Sequence, residues 1–184
     1  GNVAFDFQLE KGSFQLDALV LLPDGVTPAK KARVYLSTPG NNIQLQNGYV
    51  SHSRGAENYE TDNNGKFTLD TQIQNYLVMA VHEKGFTWEK AEFFEQNPVL
   101  VLEKWGNVKG MLYVGSAIGA DENIALYPEI LWKHQPNEPR FHASSQTVTD
   151  RSGEFALSRV IPGPARVSSI KITNMGSSRR HTPV

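Results

Sequence analysis

The sequence predicts an all-β chain made of two tandem β modules, and three observations carry that prediction. Apolar and polar residues alternate through most of the chain, the pattern of strands with one buried face. Gly, Pro, Asn and Asp separate the alternating runs, as short antiparallel strands require. One turn-and-strand motif occurs twice: Thr61-Asp62-Asn63-Asn64-Gly65-Lys66-Phe67-Thr68-Leu69 and Thr149-Asp150-Arg151-Ser152-Gly153-Glu154-Phe155-Ala156-Leu157, at a constant offset (150 − 62 = 88).

Each element follows from its local pattern. Leu16 to Leu22 reads as a strand closed by the turn Pro23-Asp24-Gly25, and Ala32-Arg33-Val34-Tyr35-Leu36 reads as the next. From Thr38 to Glu60 a polar insertion carries Asn41, Asn42, Gln44, Gln46, Asn47, Tyr49 and Tyr59. Its Asn47-Gly48 pair is a strong hairpin signal and predicts a two-stranded arm. Phe67 to Leu69 alternates after the repeated turn, where Asp62 should accept backbone hydrogen bonds and Gly65 should supply a positive φ. Tyr76 to Val81 is continuously apolar, as expected of a strand buried on both faces. Trp88 to Gln96 is the one helical stretch, ending before Pro98.

The second copy runs in the same order. Leu9-Glu10-Lys11 returns as Leu102-Glu103-Lys104 (102 − 9 = 93). Val108 to Val114 answers the first strand, Glu122 to Leu126 the second, Asp150 to Leu157 the turn and strand, and Ala165 to Ile172 the closing pair. A long insertion, Pro128 to Gln146, sits where the first copy carries its arm. No Ser/Gly/Pro-rich linker separates the copies near Glu103–Gly106, so they are expected to abut. Phe5 to Leu9 stands before the first copy as Pro98 to Leu102 stands before the second, which reads as the closing strand of something upstream in a longer protein.

Composition narrows the function classes. With 184 residues, 39% hydrophobic and 10% aromatic, the chain can build a sizeable core. A net charge of −1 gives no broad attraction to nucleic acid or anionic membrane. The absence of cysteine excludes disulfides, Cys-ligated zinc and thiol catalysis. No apolar run is long enough to span a membrane.

The motif order is strand, Pro-Asp-Gly-x-x-Pro, Ala-x-Val-x-Leu, Thr-Asp-x-x-Gly-x-Phe-x-Leu, then a strand ending in Gly85-Phe86. It resembles the carboxypeptidase regulatory-like domain, and the second copy's Ile161-Pro162-Gly163-Pro164 is similar to that family's entry into its last strands. The resemblance implies two prealbumin-like (transthyretin-like) Greek-key β-sandwiches of roughly seven strands each, at 9–103 and 104–176. The pairing resembles multidomain bacterial envelope proteins, notably those of planctomycetes. It implies a non-enzymatic structural or interaction unit of a larger exported protein, periplasmic or at the cell surface, with neighbouring domains or other proteins as partners. Ala18 departs from the family's first-strand glycine, which Gly110 keeps in the second copy.

Candidate chemistry is sparse. Asp62-Asn63-Asn64-Gly65 lacks the alternating ligands and distal Glu of a calcium loop and reads better as a hairpin turn. His52, His82, His134, His142 and His181 form no metal-ligating pair by spacing, although His134 and His142 flank one proline-rich loop. No nucleophile elbow or phosphate-binding glycine loop occurs, and Glu89, Glu92 and Glu95 read as a charged helix face. No cofactor is expected. The alternative to a purely structural unit is a carbohydrate- or peptide-binding module using the loops 38–60 and 128–146. Its candidate ligand residues are Tyr49, Tyr59, Trp132, His134, Phe141 and His142, because aromatic rings beside amides suit sugar faces and peptides. The opposing reading packs Trp132 and Phe141 at the end of a sandwich or between the modules.

Overall fold

The computed structural model describes residues 15–70, 75–129, 138–172 and 179–183. The chain is all-β. In the first half lie β1 (Gln15–Leu21), β2 (Arg33–Ser37), β3 (Asn42–Gln46), β4 (Tyr49–Arg54), β5 (Glu57–Glu60), β6 (Lys66–Asp70), β7 (Leu77–His82), β8 (Gly85–Lys90), the single-turn helix α1 (Ala91–Phe94), β9 (Val99–Val101) and β10 (Glu103–Lys104). The second half adds β11 (Gly106–Met111), β12 (Tyr113–Val114), β13 (Ala117–Ile118), β14 (Asn123–Pro128), β15 (Phe141–Val148), β16 (Glu154–Val160), β17 (Ala165–Ile172) and β18 (Arg179–Pro183).

In the first half a three-stranded sheet, β6-β1-β9, faces a five-stranded sheet, β10-β8-β7-β2-β5. The core between them follows from the period of two along each strand. Ala18 and Val20 point in from β1, Phe67 and Leu69 from β6, and Leu100 from β9, against Val34 and Leu36 of β2 and Val78 and Ala80 of β7. Phe94 closes one end of this core, stacked on Phe67 with ring centroids 6.4 Å apart. The helix is shorter than the sequence pattern predicts. Trp88–Lys90 stay in β8 because they pair with Leu77–Met79, so Glu89 lies on a strand and does not share a helix face with Glu92 and Glu95.

The repeated turn folds the same way twice. The Asp62 carboxylate accepts from the amides of Asn64 and Lys66, each at 2.8 Å, and Asp150 accepts from Ser152 and Glu154 at 2.8 and 2.9 Å. These hydrogen bonds hold both carboxyls below the usual range; the Lys66 amide is the largest cause for Asp62 and the Ser152 hydroxyl for Asp150. Gly65 (φ 74°) and Gly153 (φ 79°) occupy the left-handed region, and a Cβ there would lie 2.6 Å from the Val20 carbonyl oxygen or 2.9 Å from that of Leu112. The threonine before each Asp is buried: Thr61 accepts from the Ala32 amide at 2.8 Å and Thr149 from the Glu122 amide at 2.9 Å, while each hydroxyl donates back to a carbonyl, of Ala29 or Gly119. The node therefore ties β6 or β16 to the loop that enters β2 or β14. The turn at Asp24 is set by similar means: bonds from the Thr27 hydroxyl and the Val26 and Thr27 amides hold that carboxyl down at about 2.

The second half repeats part of this plan. β11 pairs with β16 as β1 pairs with β6, placing Gly110 opposite Phe155 as Ala18 is opposite Phe67. The order β18-β17-β14-β15 corresponds to β8-β7-β2-β5. Among the described residues its core holds Leu112, Ile124, Leu126, Leu157 and Val160, and Phe155 is only half-buried. Among the described residues no strand takes the place beside β11 that β9 takes beside β1.

Burial separates the two repeated phenylalanines. Phe67→Ala is expected to cost about 3–5 kcal/mol and Phe155→Ala about 1–2 kcal/mol, measured as urea-denaturation midpoints. Equal losses would contradict the difference in packing.

Candidate binding surface at the junction of the halves

The arm predicted from Asn47-Gly48 forms as β3 and β4, with Asn47 at φ 51° and Gly48 at φ 75°, the two positive values such a turn demands. It leaves the first half's own sheets. β3 pairs in parallel with the start of β15, Ile43 opposite Phe141 and Gln46 opposite Ser144, so the arm extends the second half's sheet to β18-β17-β14-β15-β3-β4. Asn47 fixes the end of this pairing. Its amide donates to the Ser144 carbonyl at 3.0 Å and its side-chain oxygen accepts from the Gln146 amide at 2.7 Å.

The inward side chains of this extension cover the outer face of the first half's larger sheet. Ile43, Leu45 and Phe141 meet Tyr35, Leu77, Met79 and Phe86, with Ile161 joining from the loop after β16. Phe141 is 1% exposed, its ring 5.6 Å from Phe86 and 5.9 Å from Trp88. The β7 run is thus buried on both faces, Val78 and Ala80 toward the first core and Leu77 and Met79 toward this one. Two polar clasps flank it. The buried Ser37 hydroxyl donates to the Arg140 carbonyl at 2.7 Å and accepts from its amide at 3.2 Å, and the Trp105 indole donates to the His82 carbonyl at 2.9 Å.

Two grooves open beside the arm. The first, about 550 Å³, runs over the outward face of β3 and β15 and is lined by Gln44, Gln46, Ser51, Tyr127, His142 and Ser144. Alternation requires this polarity, since Ile43, Leu45 and Phe141 take the buried side. The second, about 640 Å³, lies at the arm's tip and gathers Lys30, Lys31, Arg33 and Arg159 around Tyr49 and His82, with Glu83 as its carboxylate. The Arg159 guanidinium stands 4.5 Å from the Tyr49 ring centroid, a cation–π distance. Arg159 (φ 55°) and Lys31 (φ 56°) adopt left-handed backbone that non-glycine residues seldom take. A Cβ on Gly48 would lie 2.5 Å from the Arg159 Cβ, so the arm's turn rests directly on β16.

The candidate ligand residues therefore separate. Tyr49 is 60% exposed in the basic groove, and His142 is exposed in the polar one. Tyr59 is half-buried against Phe67, 6.1 Å between ring centroids; burial and its bond to Glu57 raise its hydroxyl to about 12. Phe141 belongs to the core between the halves and offers no ring to a ligand. Trp132 and His134 lie outside the described residues. Among the described residues no three His, Asp or Glu side chains converge as metal ligands. Three of the groove's four cations stand together in the sequence, Lys30-Lys31-Ala32-Arg33, whereas Arg159 and Tyr49 reach it from distant strands, which no local pattern foretells. Asn47 carries a turn signal but nothing that foretells its grip on β15.

No protein-family model matches this chain, and neither the curated proteins nor the solved structures give a match.

Proposed function

We propose that the chain is a non-enzymatic structural and interaction unit: two tandem prealbumin-like sandwiches, related to the carboxypeptidase regulatory-like family, that hold neighbouring parts of an exported bacterial protein at a fixed relative position. The observation that carries this reading is the parallel pairing of β3 with β15 over the shared core of Ile43, Leu45 and Phe141. Two sandwiches joined by a short connection swing unless a sizeable apolar interface holds them. Here a strand pair and a buried aromatic cluster make the junction part of both halves. A junction held in this way suits a spacer that presents loops.

A second reading is supported by the basic groove: recognition of an anionic peptide or acidic glycan, with Tyr49 stacking on a planar or sugar face and Lys30, Lys31 and Arg33 meeting its negative charge.

Native-state amide exchange tests the first reading. Amides of β7 and β14 are expected to exchange through one common opening in the wild type, and Phe141→Ala is expected to let β14 open at lower free energy than β7. Independent opening of the two strands in the wild-type chain would contradict it. For the second reading, titration with a polyglutamate peptide and with oligogalacturonate is expected to show salt-sensitive binding that Tyr49→Ala and Lys31→Glu each weaken. Binding unchanged by either substitution, or none at low salt, would remove it.

A further inference from the structure

Arg159 differs from the other cations of the basic groove in how it is held. On β16, Ser158 lies opposite Asn107 and Val160 opposite Gly106, so Arg159 is the extra residue of a β-bulge. Its φ of 55° is left-handed. Among the described residues three other non-glycine residues share that backbone, Lys31, Asn47 and Asp121, and each has a turn to explain it. Asn47 sits in the hairpin turn of the arm. Lys31 and Asp121 occupy matching loops before β2 and β14, where the next amide bonds Thr61 or Thr149. Arg159 instead fills a bulge position that glycine would take without strain. Such strain collects where a side chain must be aimed at a ligand. The aim is fixed along the whole side chain. Its stem crosses Gly48, where an added Cβ would lie 2.5 Å from the Arg159 Cβ and 2.8 Å from its Cδ. Its guanidinium ends 4.5 Å from the Tyr49 ring centroid. A guanidinium stacked on a ring keeps its N–H edge for a bidentate oxyanion. Lys30, Lys31 and Arg33 also line the groove, with Glu83 as the opposing charge, a balance of +3 (4 − 1 = 3) without His82.

We propose that this groove binds an acidic glycan, a chain of uronate-type sugars, and that Arg159 is the residue that selects it. The proposal rests on the reading of the groove as an anion site and narrows it from two ligand classes to one. The floor of the groove argues against a peptide. It is built on β2 and β7, through Tyr35 and Val81, and each strand is paired on both edges, β2 by β5 and β7, and β7 by β2 and β8. An extended peptide finds no open backbone ladder on that floor, so side chains must do the recognising. Those side chains suit a sugar. Tyr49 stays 60% exposed beside the guanidinium, leaving ring surface for a pyranose face. His82 Nδ1 accepts from the Lys84 amide at 3.2 Å, which puts the ring's proton on Nε2, a donor for a hydroxyl. In the bound chain the Arg159 fork takes one carboxylate, Tyr49 packs on the sugar ring beside it, and Lys30, Lys31 and Arg33 meet the charges of the neighbouring sugars. Arg159 belongs to the second half and the other cations to the first, so the site is complete only when the arm bridges them.

Calorimetric titration of the full chain at low ionic strength tests this with three probes of equal length: oligogalacturonate, its methyl ester and polyglutamate. Oligogalacturonate is expected to bind at least about tenfold more tightly than polyglutamate. The methyl ester keeps the sugars without the charge and is expected to bind at least about tenfold more weakly than the acid. Arg159→Lys keeps the charge and loses the fork, so the preference for glycan over peptide is expected to fall to about twofold or less. Arg159→Gly suits the left-handed backbone and is expected to lose most of the oligogalacturonate affinity with no fall in the thermal midpoint, which separates lost binding from lost folding. Polyglutamate that binds as tightly as oligogalacturonate overturns the proposal and leaves the anion site standing. So does a methyl ester that matches the acid, or a preference that Arg159→Lys does not change. A chain that binds none of the three removes the proposal and the anion site together.

Discussion

The pairing of β3 with β15 is the contact on which the rest of the architecture depends. Without it the outer face of β7 and its neighbours would expose Tyr35, Leu77, Met79 and Phe86 to water, an apolar patch that an isolated sandwich seldom carries. With it the same residues become the floor of a third packing layer. The pairing is parallel, which a short loop cannot supply within one hairpin, so it needs partners distant in sequence. The arm meets that demand. Its strands emerge between β2 and β5, cross to the other half and are held at the turn by Asn47.

Around that contact the two halves are alike where they need to be and different where they meet each other. Each carries the node of buried threonine, depressed aspartate and left-handed glycine, because each must turn tightly into a core strand while anchoring the loop before its neighbour. They diverge in the insertions. In the first half the insertion becomes the arm. In the second, the strand that answers β5 begins earlier, at Phe141, and its added residues are those that receive β3. The clasp of Ser37 on Arg140 and the rest of Gly48 on Arg159 follow from that single crossing.

Local patterns made much of this legible. Alternation located the strands, Asn47-Gly48 located the arm, and the unbroken apolar run at Tyr76–Val81 showed that something must cover its second face. What covers it was not legible, because the identity of a distant strand partner leaves no mark in the period of either strand. The helix was overread at Trp88–Lys90: the pairing of β8 with β7 outweighs a local pattern that suits either structure. Among the binding candidates, Phe141 stood between two readings, a ligand-facing ring or packing between the halves, because residue type alone does not say which side of a strand is covered; the structure buries it. Its exposed neighbour His142 shows how one position along a strand reverses that outcome. The basic groove showed only part of itself locally, in Lys30-Lys31-Ala32-Arg33; its remaining residues come from β2, β4, β7 and β16 and the turns beside them.

The register between the arm and the second half is the claim most open to direct test, and the chain's lack of cysteine makes the test clean. Gln44 and His142 lie opposite one another across β3 and β15, both exposed, at the separation of neighbouring strands, which a disulfide spans without strain. Gln44→Cys combined with His142→Cys is expected to form an intrachain disulfide in the folded protein under mild oxidation, identified by peptide mapping. The off-register pair Gln46→Cys with His142→Cys should remain largely reduced. A 44–142 pair that stays reduced, or that links only between chains, would contradict the stitching of the two halves by the arm.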